Sequence, residues 1–226
     1  MREILFGICC FCTVGSLYTG ESLDRLMDGN QRYVKDLLEH PNRTSERREA
    51  LTTSQSPFAI IVGCSDSRVA PEIIFDQGVG DLFVVRVAGN VIGPLELSSV
   101  EYSAKYLNSK VILVLGHERC GAIQAVVSGQ TESIQPIADI IAPAIKEVEQ
   151  EHPKDLLDAC IQTNAVRMKQ ILLQSPVIQN LVEKKQIEVH AAYYDLHTGE
   201  VRLLDAKKVL AQEPPSSAFK TSMKAD

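Results

Sequence analysis

Three unbroken apolar runs constrain this chain more than any other feature: FAIIVG at 58–63, LFVVRV at 82–87 and VILVLG at 111–116. Each has the length of a single strand, and with the exception of Arg86 none alternates polar with apolar residues. A strand of that kind must be covered on both faces, the condition met in parallel sheets. Helical spacing fills the intervals, at 95–107 and 120–127. Further helices are expected at 21–38, with Ser22 as a cap, and over the charged connector 44–51. Long helical stretches cover 133–151 and 155–184, with interruptions near Pro143, Pro153 and Pro176. Residues 187–194 and 200–204, separated by a turn at 195–199, read as a strand pair. The pattern predicts an α/β fold, a mostly parallel sheet flanked by helices with an N-terminal helical extension.

Composition narrows the function classes. Hydrophobic residues make up 45% and charged residues 23%, which excludes disorder as the main theme. Lysine and arginine number 23 against 29 aspartates and glutamates, a net charge of -6, so there is no basic stripe for a nucleic-acid backbone. No apolar run reaches the roughly 20 residues of a membrane-spanning helix. The first 20 residues, MREILFGICCFCTVGSLYTG, carry Arg2, an apolar stretch and then small residues, and are expected to be a signal peptide for export. A buried or interfacial first helix of a cytoplasmic protein is the alternative, since Glu3 sits beside Arg2 and no clean cleavage site is present. The expected organisation is a signal at 1–20, a catalytic domain at 21–213 and a polar tail at 214–226. Of six cysteines, Cys64, Cys120 and Cys160 remain after the leader, too few for a disulfide framework and better suited to metal binding or catalysis.

Ligands collect at the carboxyl ends of parallel strands. The first run ends in Gly63-Cys64-Ser65-Asp66-Ser67-Arg68 and the third in Gly116-His117-Glu118-Arg119-Cys120-Gly121. If both strands point the same way, Cys64, His117 and Cys120 meet at one edge. Two thiolates and an imidazole suit zinc with a fourth position open. Cys120 also stands at a helix start, where the dipole favours a thiolate. Taken singly, a buried cysteine is a small hydrophobe and a histidine after a strand a satisfied polar group; it is their combination with Asp66 and Arg68 that favours the metal. Asp66 could itself coordinate, or pair with Arg68, whose planar fork takes a carboxylate bidentately. The long separation of Cys64 from His117 excludes a zinc finger.

CSDSR at 64–68, RVAGN at 86–90 and GHERCGA at 116–122 resemble the β-class carbonic anhydrases, over residues 22–204. The resemblance implies one zinc per subunit held by Cys64, His117 and Cys120. It implies that Asp66 accepts a hydrogen bond from zinc-bound water or hydroxide while Arg68 holds Asp66 off the metal. Gln55, Phe83, Val87, Tyr102 and Gly121 match positions of the substrate pocket. Some of these come from the partner subunit in the family, so a homodimer or dimer of dimers is implied. The activity implied is reversible hydration of carbon dioxide to bicarbonate. Because two thiolates offset the charge of zinc, turnover is expected to rise through the mildly alkaline range. The absence of tryptophan argues against the regulatory bicarbonate site of some bacterial members. His40, His152, His190 and His197 are read as surface or structural residues rather than proton shuttles. Two rival readings are hydrolysis of carbonyl sulfide or carbon disulfide at the same site, and a non-catalytic zinc-stabilised binding protein.

Overall fold

The computed structural model describes residues 17–205. The expected signal segment lies outside the described residues except for its last four, which begin the first helix; the expected tail at 214–226 lies outside altogether. Five strands form one sheet in the order β2-β1-β3-β4-β5, comprising β1 (Ala59–Gly63), β2 (Leu82–Arg86), β3 (Val111–His117), β4 (Glu188–Tyr194) and β5 (Val201–Leu203). The first four are parallel and β5 returns antiparallel to β4, pairing Tyr194 with Val201. The mostly parallel sheet expected from the apolar runs is present. Every residue of β1 and β3 is buried, which explains why neither alternates.

The two faces of the sheet carry different covers. Ile60, Val62, Ile112 and Val114 point into the larger core. That core is filled by α4 (Pro94–Tyr106), α5 (Gly121–Val127), α6 (Gln135–Glu151), α7 (Leu156–Leu173) and α8 (Pro176–Glu183). Ala59, Ile61, Leu113 and Leu115 point the other way, onto α1 (Leu17–Val34) and the short α3 (Pro71–Ile74). Asn30 ties α1 down: fully buried, it donates to the carbonyls of Ile74 and Gly199 and accepts from the N–H of Val201. The helix over 44–51 is present as α2 (Ser45–Ala50), capped by Thr44 and without a buried residue.

Helix starts follow local chemistry. Asp155 and Ser175 cap α7 and α8 through the N–H groups of Asp158 and Ile178, and Pro176 occupies the first turn of α8. Not every expectation holds. Residue 143 does not interrupt α6; Pro143 lies inside it. Pro143 and Asp139, whose carbonyl loses its donor, are both exposed, so water can take that bond, while buried Ala138, Ile141, Ala144, Ile145 and Val148 hold the helix to the core. The first helix runs Leu17–Val34 rather than 21–38, so Ser22 lies inside it instead of capping it, and Asp36 is in the left-handed region. Helix α3 was not foreseen; four residues are too few to show a period.

Candidate metal centre

The connection leaving β1 runs to α3 on one face of the sheet and the connection leaving β3 runs to α5 on the other, so a crevice opens between the carboxyl ends of β1 and β3. Cys64 follows β1 directly, His117 is the last residue of β3, and Cys120 precedes α5. All three are buried, and one ligand atom from each lies within 4.8 Å of the others. The sulfurs of Cys64 and Cys120 are 4.0 Å apart. A tetrahedral ion with metal–sulfur bonds of about 2.3 Å needs about 3.8 Å.

His117 offers its other nitrogen. Nδ1 lies 2.9 Å from the carbonyl of Glu118, which only accepts, so Nδ1 carries the proton and Nε2 keeps a lone pair. Nε2 is buried without a hydrogen-bond partner. Such an atom is costly to bury unless something binds it. The thiols make the same point electrostatically. The Cys120 sulfur, with His117 and the N–H groups around it, draws Cys64 below the usual thiol range; Cys120 is pushed up by the neighbouring Cys64 sulfur and by burial. The helix start favours a Cys120 thiolate, as expected, but does not decide its charge. The N–H groups of Ala122 and Ile123 do favour its charged form, but a second bare thiolate beside Cys64 outweighs them. Two thiolates this close require a cation, and these residues fit a zinc ion.

Asp66 sits at the rim. Arg68 donates to Oδ1 through its backbone N–H and Nε, both at 2.9 Å, and to Oδ2 through Nη2 at 2.7 Å. These bonds hold the Asp66 carboxyl well below the usual carboxylate range, against the partial burial that would raise it. Arg86, in the apolar run of β2, donates to the carbonyls of Cys64 and Asp66 at 2.8 and 2.6 Å and so stiffens the loop that carries both.

The comparisons agree with this geometry. The carbonic anhydrase family model matches residues 59–201. The chain belongs to the β-carbonic anhydrase family. It is 44% identical over 126 residues to carbonic anhydrase 2 of Mycobacterium tuberculosis, covering 53% of this chain and 61% of that protein. To the carbonic anhydrase of Pseudomonas aeruginosa it is 32% identical over 193 residues, covering 80% of this chain and 86% of that one. The solved Coccomyxa β-carbonic anhydrase, in complex with acetazolamide, superposes with a TM-score of 0.64 at 28% identity, covering 80% and 86% of the two chains.

Within this β-carbonic anhydrase chain the expected site residues divide into two groups. Cys64, Asp66, Arg68, His117 and Cys120 converge, and Val87 joins them by donating its N–H to the carbonyl of Gly63 at 3.1 Å. Gly121 opens α5 beside Cys120 and lines a cleft of about 620 Å³ with Ala88, Ala122 and Ile134. Gln55, Phe83 and Tyr102 are elsewhere. Gln55 is exposed before the amino end of β1. Phe83 pairs with Ile60, three rungs back from Gly63, and the Tyr102 ring lies tilted at 46° with its centroid 6.3 Å from that of Phe83. At about 3.3 Å per residue the length of β1 separates Gln55 from its own Cys64 by some 15 Å. Arg86 and Gly89 stand in the RVAGN motif but were given no role from the sequence, although a charged residue inside an apolar run was a signal. Asn164, in the middle of α7, gave none.

Proposed function

We propose that the chain is a zinc-dependent carbonic anhydrase that hydrates carbon dioxide reversibly to bicarbonate and a proton. The observation that carries this reading is the buried trio of Cys64, His117 and Cys120, with an orphaned imidazole nitrogen, beside a carboxylate locked by arginine. When bound, zinc supplies a Lewis-acid charge that lowers the pKa of a water held on it. The chain's own residues supply orientation. Ionised Asp66 only accepts hydrogen bonds, so it takes the O–H of the attacking water and fixes which lone pair faces the carbon. Arg68 keeps Asp66 in that role by occupying both carboxylate oxygens. The Glu118 carbonyl holds the His117 tautomer that can ligate.

The substrate pocket is completed by a second copy of the chain. Gln55, Phe83 and Tyr102 lie too far from the ligands of their own chain. Leu95, Tyr102 and Tyr106 are exposed on α4, the helix beside the unpaired edge strand β2. A homodimer, or a dimer of dimers, covers that apolar face and brings these residues to the partner's zinc. Export through the segment 1–20 is part of the same proposal; amino-terminal sequencing of protein from its native host tests it.

Stopped-flow hydration of carbon dioxide, with zinc quantified on the same sample and carbonyl sulfide as a parallel substrate, tests the activity. Zinc near one equivalent with rapid hydration is expected. Stoichiometric zinc without turnover on carbon dioxide would overturn it.

A further inference from the structure

Asn164 lies in α7, is fully buried and is not one of the three candidate ligands. Its Nδ2 donates to the carbonyl of Gly89 at 2.9 Å; since that carbonyl only accepts, the amide nitrogen must face it. The N–H of Gly89 in turn points at the Cys64 sulfur, 3.3 Å away, in a buried contact. Gly89 has φ 73°, and a Cβ there would stand 2.9 Å from Ile141 Cδ1, so this turn is built for glycine and has no side chain of its own to hold it. The orientation of the Gly89 N–H depends on what grips the backbone on the other side of its Cα. The next residue of α7, Ala165, packs where a Cβ on Gly116 would come within 3.3 Å, immediately before His117. One stretch of α7 therefore braces both the turn that faces Cys64 and the strand end that carries His117.

We propose that Asn164 is a positioning residue for the metal centre: by gripping the Gly89 carbonyl it fixes the backbone of that residue, so that the N–H on the other side of its Cα donates to the Cys64 sulfur. A hydrogen bond to a thiolate withdraws electron density and stabilises the charged ligand, so the residue tunes the metal–sulfur bond from two contacts away. The proposal rests on the metal reading above. Its orphaned oxygen is consistent with this use: Asn164 Oδ1 is buried without a partner, a cost that an apolar residue would avoid.

The test is cobalt(II) titration of the full-length, metal-stripped chain, read as affinity and as the near-ultraviolet sulfur-to-cobalt charge-transfer band. Asn164→Leu, with the same branched heavy-atom skeleton and without the donor, is expected to weaken cobalt binding about 10–100-fold and to shift the band. Cys160→Ala, a cavity-forming change one turn earlier in α7, is expected to lower the melting temperature with the band in place. If Asn164→Leu does not fold, Asn164→Asp, isosteric and presenting an acceptor to the Gly89 carbonyl, is expected to show the same loss. Wild-type protein that takes up no cobalt would overturn the metal reading and this proposal together. Wild-type binding with an unchanged affinity and band in the Asn164 variant overturns this proposal alone, as does an equal shift in Cys160→Ala.

Discussion

Asp66 Oδ2 stops 3.8 Å short of His117 Nε2. Arg68 sets that separation, because both carboxylate oxygens are already committed to its guanidinium. Replacing Asp66 by Asn exchanges an acceptor for a group that can donate, and is expected to lower carbon dioxide hydration by about 100-fold or more with zinc retained. Arg68→Ala frees the carboxylate to turn toward the ligand position. It is expected to lose comparable activity while holding its metal at least as tightly. Loss of zinc in either variant would show that the pair supports the ligands rather than the reaction.

Removal of a ligand leaves the remaining thiolate or imidazole buried and unpaired. His117→Ala and Cys64→Ser are therefore expected to lose stoichiometric zinc by metal analysis. Stripping the wild-type protein with a chelator is expected to lower its melting temperature, since metal binding to the folded state alone is stabilising. A melting temperature that does not respond to chelation would mean the trio is stable without a cation.

Asp76 provides a pH dependence remote from the metal. It is fully buried, and burial alone would push its carboxyl up. The Arg32 guanidinium at 2.7 Å and the N–H groups of Glu39 and His40 at 2.9 and 3.0 Å override that and hold it below the usual range. The folded carboxyl thus titrates below the unfolded one, whose value is about 3.9. Its contribution is complete above that value and is lost as pH falls through the folded one. Asp76→Asn is expected to cost about 1–3 kcal/mol near neutrality in denaturant titrations. The gap from wild type is expected to close as the pH falls below the unfolded value and through the lower folded one. A gap that stays constant as the pH falls would remove Asp76 from the acid response.

Gly116 connects packing to chemistry. A Cβ there would meet Ala165 and Ile161 side chains at 3.3 Å, and both belong to the buried face of α7. Gly116→Val is expected to destabilise by about 1–3 kcal/mol through overpacking. Because residue 117 follows directly, it is also expected to lower metal affinity. A variant that is destabilised yet binds metal normally would show that α7 and the ligand strand relax independently.

Much of the fold was legible because burial writes itself into local sequence. The three apolar runs became β1, β2 and β3 within a residue or two. The ligands were legible because cysteine and histidine at two strand ends have few other uses together. Pro143 misled because a proline's effect depends on whether solvent can reach the carbonyl it frees, a property of the surface rather than of the segment. Helix α3 and the turn at 88–90 left no period to read.

Strand identity, helix spacing and the chemistry of Cys64, His117 and Cys120 were determined by the sequence by itself, since apolar period and donor type are properties of residues and near neighbours. Tertiary structure alone decided that β1 and β3 lie side by side, bringing together sulfurs from positions 64 and 120 at 4.0 Å. It also decided that Asn164 reaches Gly89 from a helix 75 positions away, and that Gln55, Phe83 and Tyr102 lie apart from the ligands of their own chain. Such contacts depend on how helices and strands stack, and stacking is settled by the summed burial of the whole chain, which no local stretch encodes.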